Sequence, residues 1–154
     1  MDLGMAPEKL FADSINLSNN KLSGDVPDSL GNLKGLKLLN LSYNKLSGYI
    51  PRSFGDLESI ETLDLSNNNI SGTIPKSFQK LNQLSVLDVS NNKLSGKIPR
   101  GGQMDTMNDP TYSANNSWLC GMQIRVKCSG DEITPEAQEE DEDDDEDEPW
   151  LLWT

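Results

Sequence analysis

Few residues in this chain could carry chemistry. Cys120 and Cys128 are its only thiols and stand with seven residues between them. No histidine occurs among the 154 residues, so no imidazole can activate a serine or a thiol, and no His-containing metal set can form. The pair therefore reads as a disulfide closing a small loop, with two free thiols as the alternative; a disulfide implies an oxidising, extracellular compartment. Asparagine supplies a second chemistry. Asn16, Asn40, Asn69 and Asn115 each open an Asn-x-Ser sequon, the acceptor for an N-linked glycan on a secreted protein. Carboxylates are the third, massed in EAQEEDEDDDEDE near the C-terminus. They could hold Ca2+ diffusely but lack the spacing and turn glycine of an EF-hand. The expectation is a protein with no catalytic residues, no cofactor and no metal site.

The net charge of -12 is distributed unevenly. Residues 131–154 carry 13 Asp or Glu and no Lys or Arg, whereas residues 1–130 carry 13 basic and 12 acidic residues. Neither part offers the basic patch that would neutralise phosphates, so no nucleic-acid partner is expected. The acidic run repels itself, which adds to the entropy cost of ordering it, and residues 131–149 read as a disordered spacer or an electrostatic contact for a basic segment. No stretch reaches the roughly 18–20 apolar residues that span a bilayer, and MDLGMAPEKLF lacks the features of a secretory signal.

What positions these groups is a repeat. Asn20, Asn44, Asn68 and Asn92 follow one another at intervals of 24, and the same frame surrounds each. Two apolar residues bracket a polar one upstream: Ile15/Leu17, Leu39/Leu41, Leu63/Leu65 and Leu87/Val89. An apolar residue follows two places downstream, then Ser-Gly, a variable residue, and Val-Pro or Ile-Pro. The alternation predicts a short strand with both apolar residues turned inward. An amide three residues beyond it can donate to and accept from the backbone of neighbouring turns, forming a ladder where an apolar residue would leave buried N–H and C=O groups unpaired. Gly24, Gly48, Gly72 and Gly96 permit a sharp turn, and the following prolines suit its outer edge. Leu30/Leu33, Phe54/Leu57 and Phe78/Leu81 then stand at helical spacing and supply the opposite wall.

The frame resembles the leucine-rich repeat, and the Leu-Ser-Gly-x-Ile-Pro segments at 46–51 and 94–99 resemble its plant extracellular subclass. The resemblance covers about residues 12–107 and implies an α/β solenoid, with a curved parallel sheet on the concave face and short helical or 3-10 turns on the convex face. Residues 116–121, Asn-x-x-Leu-Cys-Gly, resemble the C-terminal cap of plant receptor-like proteins. The expected organisation is a degenerate N-terminal segment (1–11), four repeats (12–107), a cap containing Cys120 and Cys128 (108–130), the acidic spacer (131–149) and the start of a juxtamembrane aromatic segment (150–154). Resemblance to that family implies a non-enzymatic recognition module on the extracellular side of the plasma membrane. It would signal in defence or development by pairing with a receptor kinase co-receptor or adaptor kinase. A peptide or protein ligand would be read by further repeats upstream, and the membrane would be reached through a downstream helix. The alternative is a soluble apoplastic inhibitor resembling polygalacturonase-inhibiting proteins, for which the acidic tail has no evident use.

Three more expectations concern ends and faces. In the fourth unit Gly102 and Asp105 stand where the period would place counterparts of Phe78 and Leu81, so the repeat is expected to stop after Pro99. Lys9 stands in place of a core leucine, so the preceding turn is missing or degenerate. On the concave face Asn16 and Asn40 share a strand position in adjacent turns, about 4.8 Å apart if the strands pair, so glycans there would cover its first half. That leaves Glu61, Thr62, Asp64, Ser66, Ser85, Val86, Asp88 and Ser90 as an unglycosylated acidic window for a protein partner, with a merely solvated sheet face as the alternative. Trp118 is expected to pack the cap, with Tyr43, Tyr49 and Tyr112 on separate faces.

Overall fold

The structure is a computed structural model that describes residues 13–129. The expected N-terminal segment, acidic spacer and aromatic end lie outside them. Each 24-residue unit makes one coil. Its first strand lies in the concave sheet: β1 (Ser14–Asn16), β3 (Leu38–Asn40), β5 (Thr62–Asp64) and β7 (Val86–Asp88), in spatial order β1-β3-β5-β7. All pairs are parallel, and the register joins equivalent residues, Ile15 to Leu39, Leu39 to Leu63 and Leu63 to Leu87. These four side chains point into the core, as strand alternation requires.

The Ser-Gly segment of each unit is more than a turn. It forms a second, flanking set of strands: β2 (Ser23–Asp25) pairs with β4 (Lys45–Ser47), and β6 (Ser71–Gly72) with β8 (Lys93–Lys97), which in turn pairs with β9 (Trp118–Cys120). Gly72 has φ +82°, and a Cβ there would stand 2.5 Å from Cδ1 of Tyr49. The glycine thus serves both the left-handed backbone and the close approach of the neighbouring coil.

The convex wall is built from 3-10 turns at Asp28–Asn32, Arg52–Asp56 and Lys76–Lys80, each preceded by the proline of the Val-Pro or Ile-Pro pair. The fixed proline φ leads an extended residue directly into the turn. Phe54, Leu57, Phe78 and Leu81 are essentially inaccessible and meet the strand leucines in one continuous core. Ser53 and Ser77 donate from Oγ to the carbonyls of Asp28 and Arg52, joining successive convex turns.

The repeat does not stop at Pro99. A fourth convex turn, Gly102–Thr106, follows, with Met104 fully buried where the period alone placed a break. Met104 N–H bonds to Gly101 O and Met107 N–H to Met104 O, as Phe78 does to Pro75 and Leu81 to Phe78. Gly101 and Gly102, at φ +102° and +57°, absorb a two-residue insertion. A Cβ at Gly102 would fall 2.6 Å from the carbonyl oxygen of Gln79, so the detour needs glycine. A shorter connection to a 3-10 turn at Pro110–Ser113 then restores the frame: Val89 N–H bonds to Tyr112 O as Leu65 N–H bonds to Asp88 O.

Candidate functional site

The asparagine ladder holds the recognition faces in place. Asn44 Oδ1 accepts from Leu22 N–H at 3.0 Å, and its Nδ2 donates to the carbonyls of Leu17, Leu41 and Ser42. Asn68 and Asn92 repeat the pattern one and two coils later, accepting from Leu46 and Ile70 and donating back to Leu41 and Leu65. Asn20 is exposed and, among the described residues, bonds to Leu17 and Ser18 of its own turn. A fifth rung is Asn116, which accepts from Leu94 N–H and donates to Val89 O, both at 2.9 Å. The sequence reading placed Asn116 in the cap and missed its second role, although it stands 24 residues after Asn92.

The residue before each ladder position (Asn19, Tyr43, Asn67, Asn91 and Asn115) has φ between +56° and +62°. Asparagine tolerates this left-handed backbone because its short side chain can bond locally; Tyr43 is the exception in the column.

On the concave face, Glu61 and Ser85 are exposed, while Thr62, Asp64, Val86 and Asp88 are half-buried. Ser66 and Ser90, expected to face outward with them, are buried at 3% and 7% exposure. Each donates its Oγ at 2.7 Å to an Oδ1 that also accepts its own N–H: Asp64 for Ser66, Asp88 for Ser90. The window is therefore narrower than expected, because the chain leaves the strands at Asp64 and Asp88 and turns the hydroxyls two residues further on inward. Asn16 and Asn40 hold the same position, directly paired between β1 and β3, and accept from Ser18 and Ser42 N–H. Of the other sequons, Asn69 is exposed on the flank, and Asn115 is exposed but donates from Nδ2 to Asn91 Oδ1 at 2.7 Å.

At the C-terminal end a disulfide joins Cys120 to Cys128. Cys120 lies in β9, whose carbonyl accepts from Ile98, so the bridge ties the chain's exit to the last flank strand. Trp118 does not pack the cap: it is 77% exposed on β9, a three-residue strand that among the described residues pairs with β8 alone. Its neighbour Leu119 takes the inward position instead. Inside the cap, Gln123 donates to the carbonyls of Pro99 and Met104, fastening it to the last convex turn.

Among the described residues, two surface carboxyls are perturbed by their neighbours. Lys80 Nζ, 3.1 Å from Asp56 Oδ1, holds that carboxyl below its ordinary range, and the hydroxyl and N–H of Thr111 do the same for Asp109. Among the described residues no cluster of metal-ligating side chains occurs, and no helix is long and apolar enough to cross a membrane. The arrangement offers surfaces for binding.

Comparison with known proteins places this geometry. Residues 13–70 match a leucine rich repeat model and residues 58–99 a two-copy leucine rich repeat model. Over 126 residues the chain is 73% identical to Receptor-like protein 46 of Arabidopsis thaliana, an alignment covering 82% of this chain and 16% of that protein. The chain thus spans about a sixth of the length of this curated relative. Among solved structures it resembles a chain of the Arabidopsis BIR3–SERK2 complex at a TM-score of 0.67 and 36% identity, over 75% of this chain and 63% of that one. It also resembles a chain in the structure of the Arabidopsis receptor kinase HAESA with the peptide hormone IDA and the co-receptor SERK1. There the TM-score is 0.60 and the identity 43%, over 70% of this chain and 17% of that one. With the two repeat models together spanning residues 13–99, the chain belongs to the leucine-rich repeat family and is similar in sequence to a plant receptor-like protein.

Proposed function

We propose that this chain is a non-enzymatic recognition module of a plant cell-surface receptor-like protein, and that it works by pairing with the ectodomain of a receptor kinase on the extracellular side of the plasma membrane. The observation that carries the reading is the 73% identity to a receptor-like protein over 126 residues. Solved neighbours in complex with SERK co-receptors support a kinase partner of this kind. The face offered to the partner is the exposed remainder of the concave window, Glu61, Thr62, Ser85 and Val86 with the outer edges of Asp64 and Asp88. Few Tyr, Trp or Arg anchors stand there, so a tight ligand pocket is not what these coils supply. Trp118 is a separate aromatic anchor at the cap.

The test is a pull-down of receptor kinase ectodomains from plant membranes with the secreted chain, comparing wild type, Glu61→Lys/Ser85→Lys and Trp118→Ala. Loss of a kinase partner in either variant, with near-UV circular dichroism unchanged, supports the reading. Failure of the wild type to retain any receptor kinase overturns it.

A further inference from the structure

The position after each Ile-Pro pair carries Arg52, Lys76 and Arg100, one per coil. In the first unit the same position is Asp28. These residues line a run of shallow depressions along the edge between the flank strands and the convex turns. Arg52 and Lys76 share one with Tyr49 and Thr73, and Lys76 and Arg100 share the next with Lys97 and Gln79. Arg100, bonded through Nε to Asp105, also borders a third, which Arg125 lines from the cap. The result is a basic lane that crosses three coils and ends on the element from which the chain leaves at Cys128. At its far end the charge reverses, because Asp25 and Asp28 line the corresponding depression of the first coil together with Arg52.

Charge is therefore segregated along the molecule. Residues 71–130 carry seven basic and three acidic side chains, whereas the next 24 residues carry 13 acidic and none basic. We propose that this lane is a docking groove for an acidic peptide and that its occupant is the chain's own segment 136–148. Reach is not limiting. Coils stack about 5 Å apart in the sheet, so Arg125 to Arg52 is on the order of 15 Å. An extended segment spans about 3.3 Å per residue; five residues cover that distance and the tail has several times as many. The lane has a direction as well, running from Arg125 at the cap to the first coil, where Asp28 replaces the basic series. Single exposed ion pairs are weak, but a tethered polyanion meets the whole series at an effective concentration of order mM. An acidic partner approaching this edge would have to displace the tail. This inference is independent of the receptor reading.

Carbodiimide cross-linking of the full 154-residue chain at low salt, read by peptide mass spectrometry, tests it. Intramolecular amides from Lys76 and Lys97 to carboxylates of 136–148 are expected several-fold above those from Lys21, Lys37 and Lys45, which lie off the lane. They should collapse in 0.5 M NaCl, where the Debye length is shorter than one coil spacing. Arg52→Glu/Arg100→Glu, which leaves Lys76 as the reporter, should bring its yield down to that of Lys45. Equal yields at all lysines, cross-links only between chains, or an unchanged Lys76 yield in the double variant would each overturn the proposal. Should the variant not fold, the distribution among wild-type lysines decides alone.

Discussion

The side-chain amide of Asn92 joins two coils beside the backbone bond from Lys93 N–H to Ile70 O, and takes the Ile70 N–H that this bond leaves over. Replacing it with alanine leaves the N–H of Ile70, a residue with no accessible surface, without its acceptor. An unsatisfied buried group costs about 1–3 kcal/mol, so Asn92→Ala should lose about 2 kcal/mol in a urea titration. Asn20→Ala, at an exposed rung bonded, among the described residues, within its own turn, should lose under about 1 kcal/mol. Equal losses would remove the ladder from the account. Tyr43 makes the opposite case. The residue is 61% exposed while its backbone sits at φ +56°, where the other members of the column are asparagine. Tyr43→Asn should therefore stabilise by roughly 0.5–1 kcal/mol, within the range that relief of a left-handed residue allows; a fall in midpoint would show that the ring's packing matters more. The ladder was legible in the sequence because its identity is fixed by a double donor and acceptor demand at fixed spacing. Ser66 and Ser90 were not, because alternation ceases to apply two residues beyond the strand. Trp118 was misread because an aromatic in a cap suggests packing, whereas Leu119 already fills the inward site.

At the level of elements, the concave strands and the Pro-led convex turns follow from pattern, since both present apolar residues at the period of their own geometry. The flank strands escaped because their residues, Ser-Gly-x, carry turn chemistry and bury little; the neighbouring coil alone makes them strands. The fourth convex turn escaped because the inserted residues broke the spacing while Gly101 and Gly102 preserved the geometry. The cap can be tested as an element. Its disulfide closes a short loop, for which the chain-entropy model gives about 2–3 kcal/mol. Cys120→Ser/Cys128→Ser should lose that much, and hydrogen exchange should quicken first at Ile98 and Gly121, whose N–H groups bond to Cys120 O and Val126 O. Uniform acceleration across all coils would mean that the cap does not unfold separately, and its assignment as a distinct terminal element would fail.

At the scale of the whole molecule, the described coils form a stack in which each touches its neighbours, so their response to pH is the sum of local terms, and the sequence restricts those terms severely. Without histidine, no side chain in the described coils has an ordinary pKa between about 5 and 8. Asp56 and Asp109 are held below their ordinary range in the folded state. A carboxyl depressed on folding contributes stability above its unfolded pKa and loses that contribution as pH falls through its folded value. The thermal midpoint should therefore be level from about pH 6 to 8 and decline only in acid, below the ordinary carboxylate pKa of about 4. A second variant separates the local term from the tail. In Lys80→Met the Asp56 carboxyl loses the ammonium that depresses it, so the variant should melt slightly below wild type at pH 7. The two curves should converge as both aspartates become protonated in acid. The acidic tail is common to both proteins and cancels in that comparison. A gap that persists at pH 2 would assign the effect of Lys80 to the packing of its aliphatic stem rather than to charge, and a midpoint that moves between pH 6 and 8 would require a titrating group that the described coils do not contain.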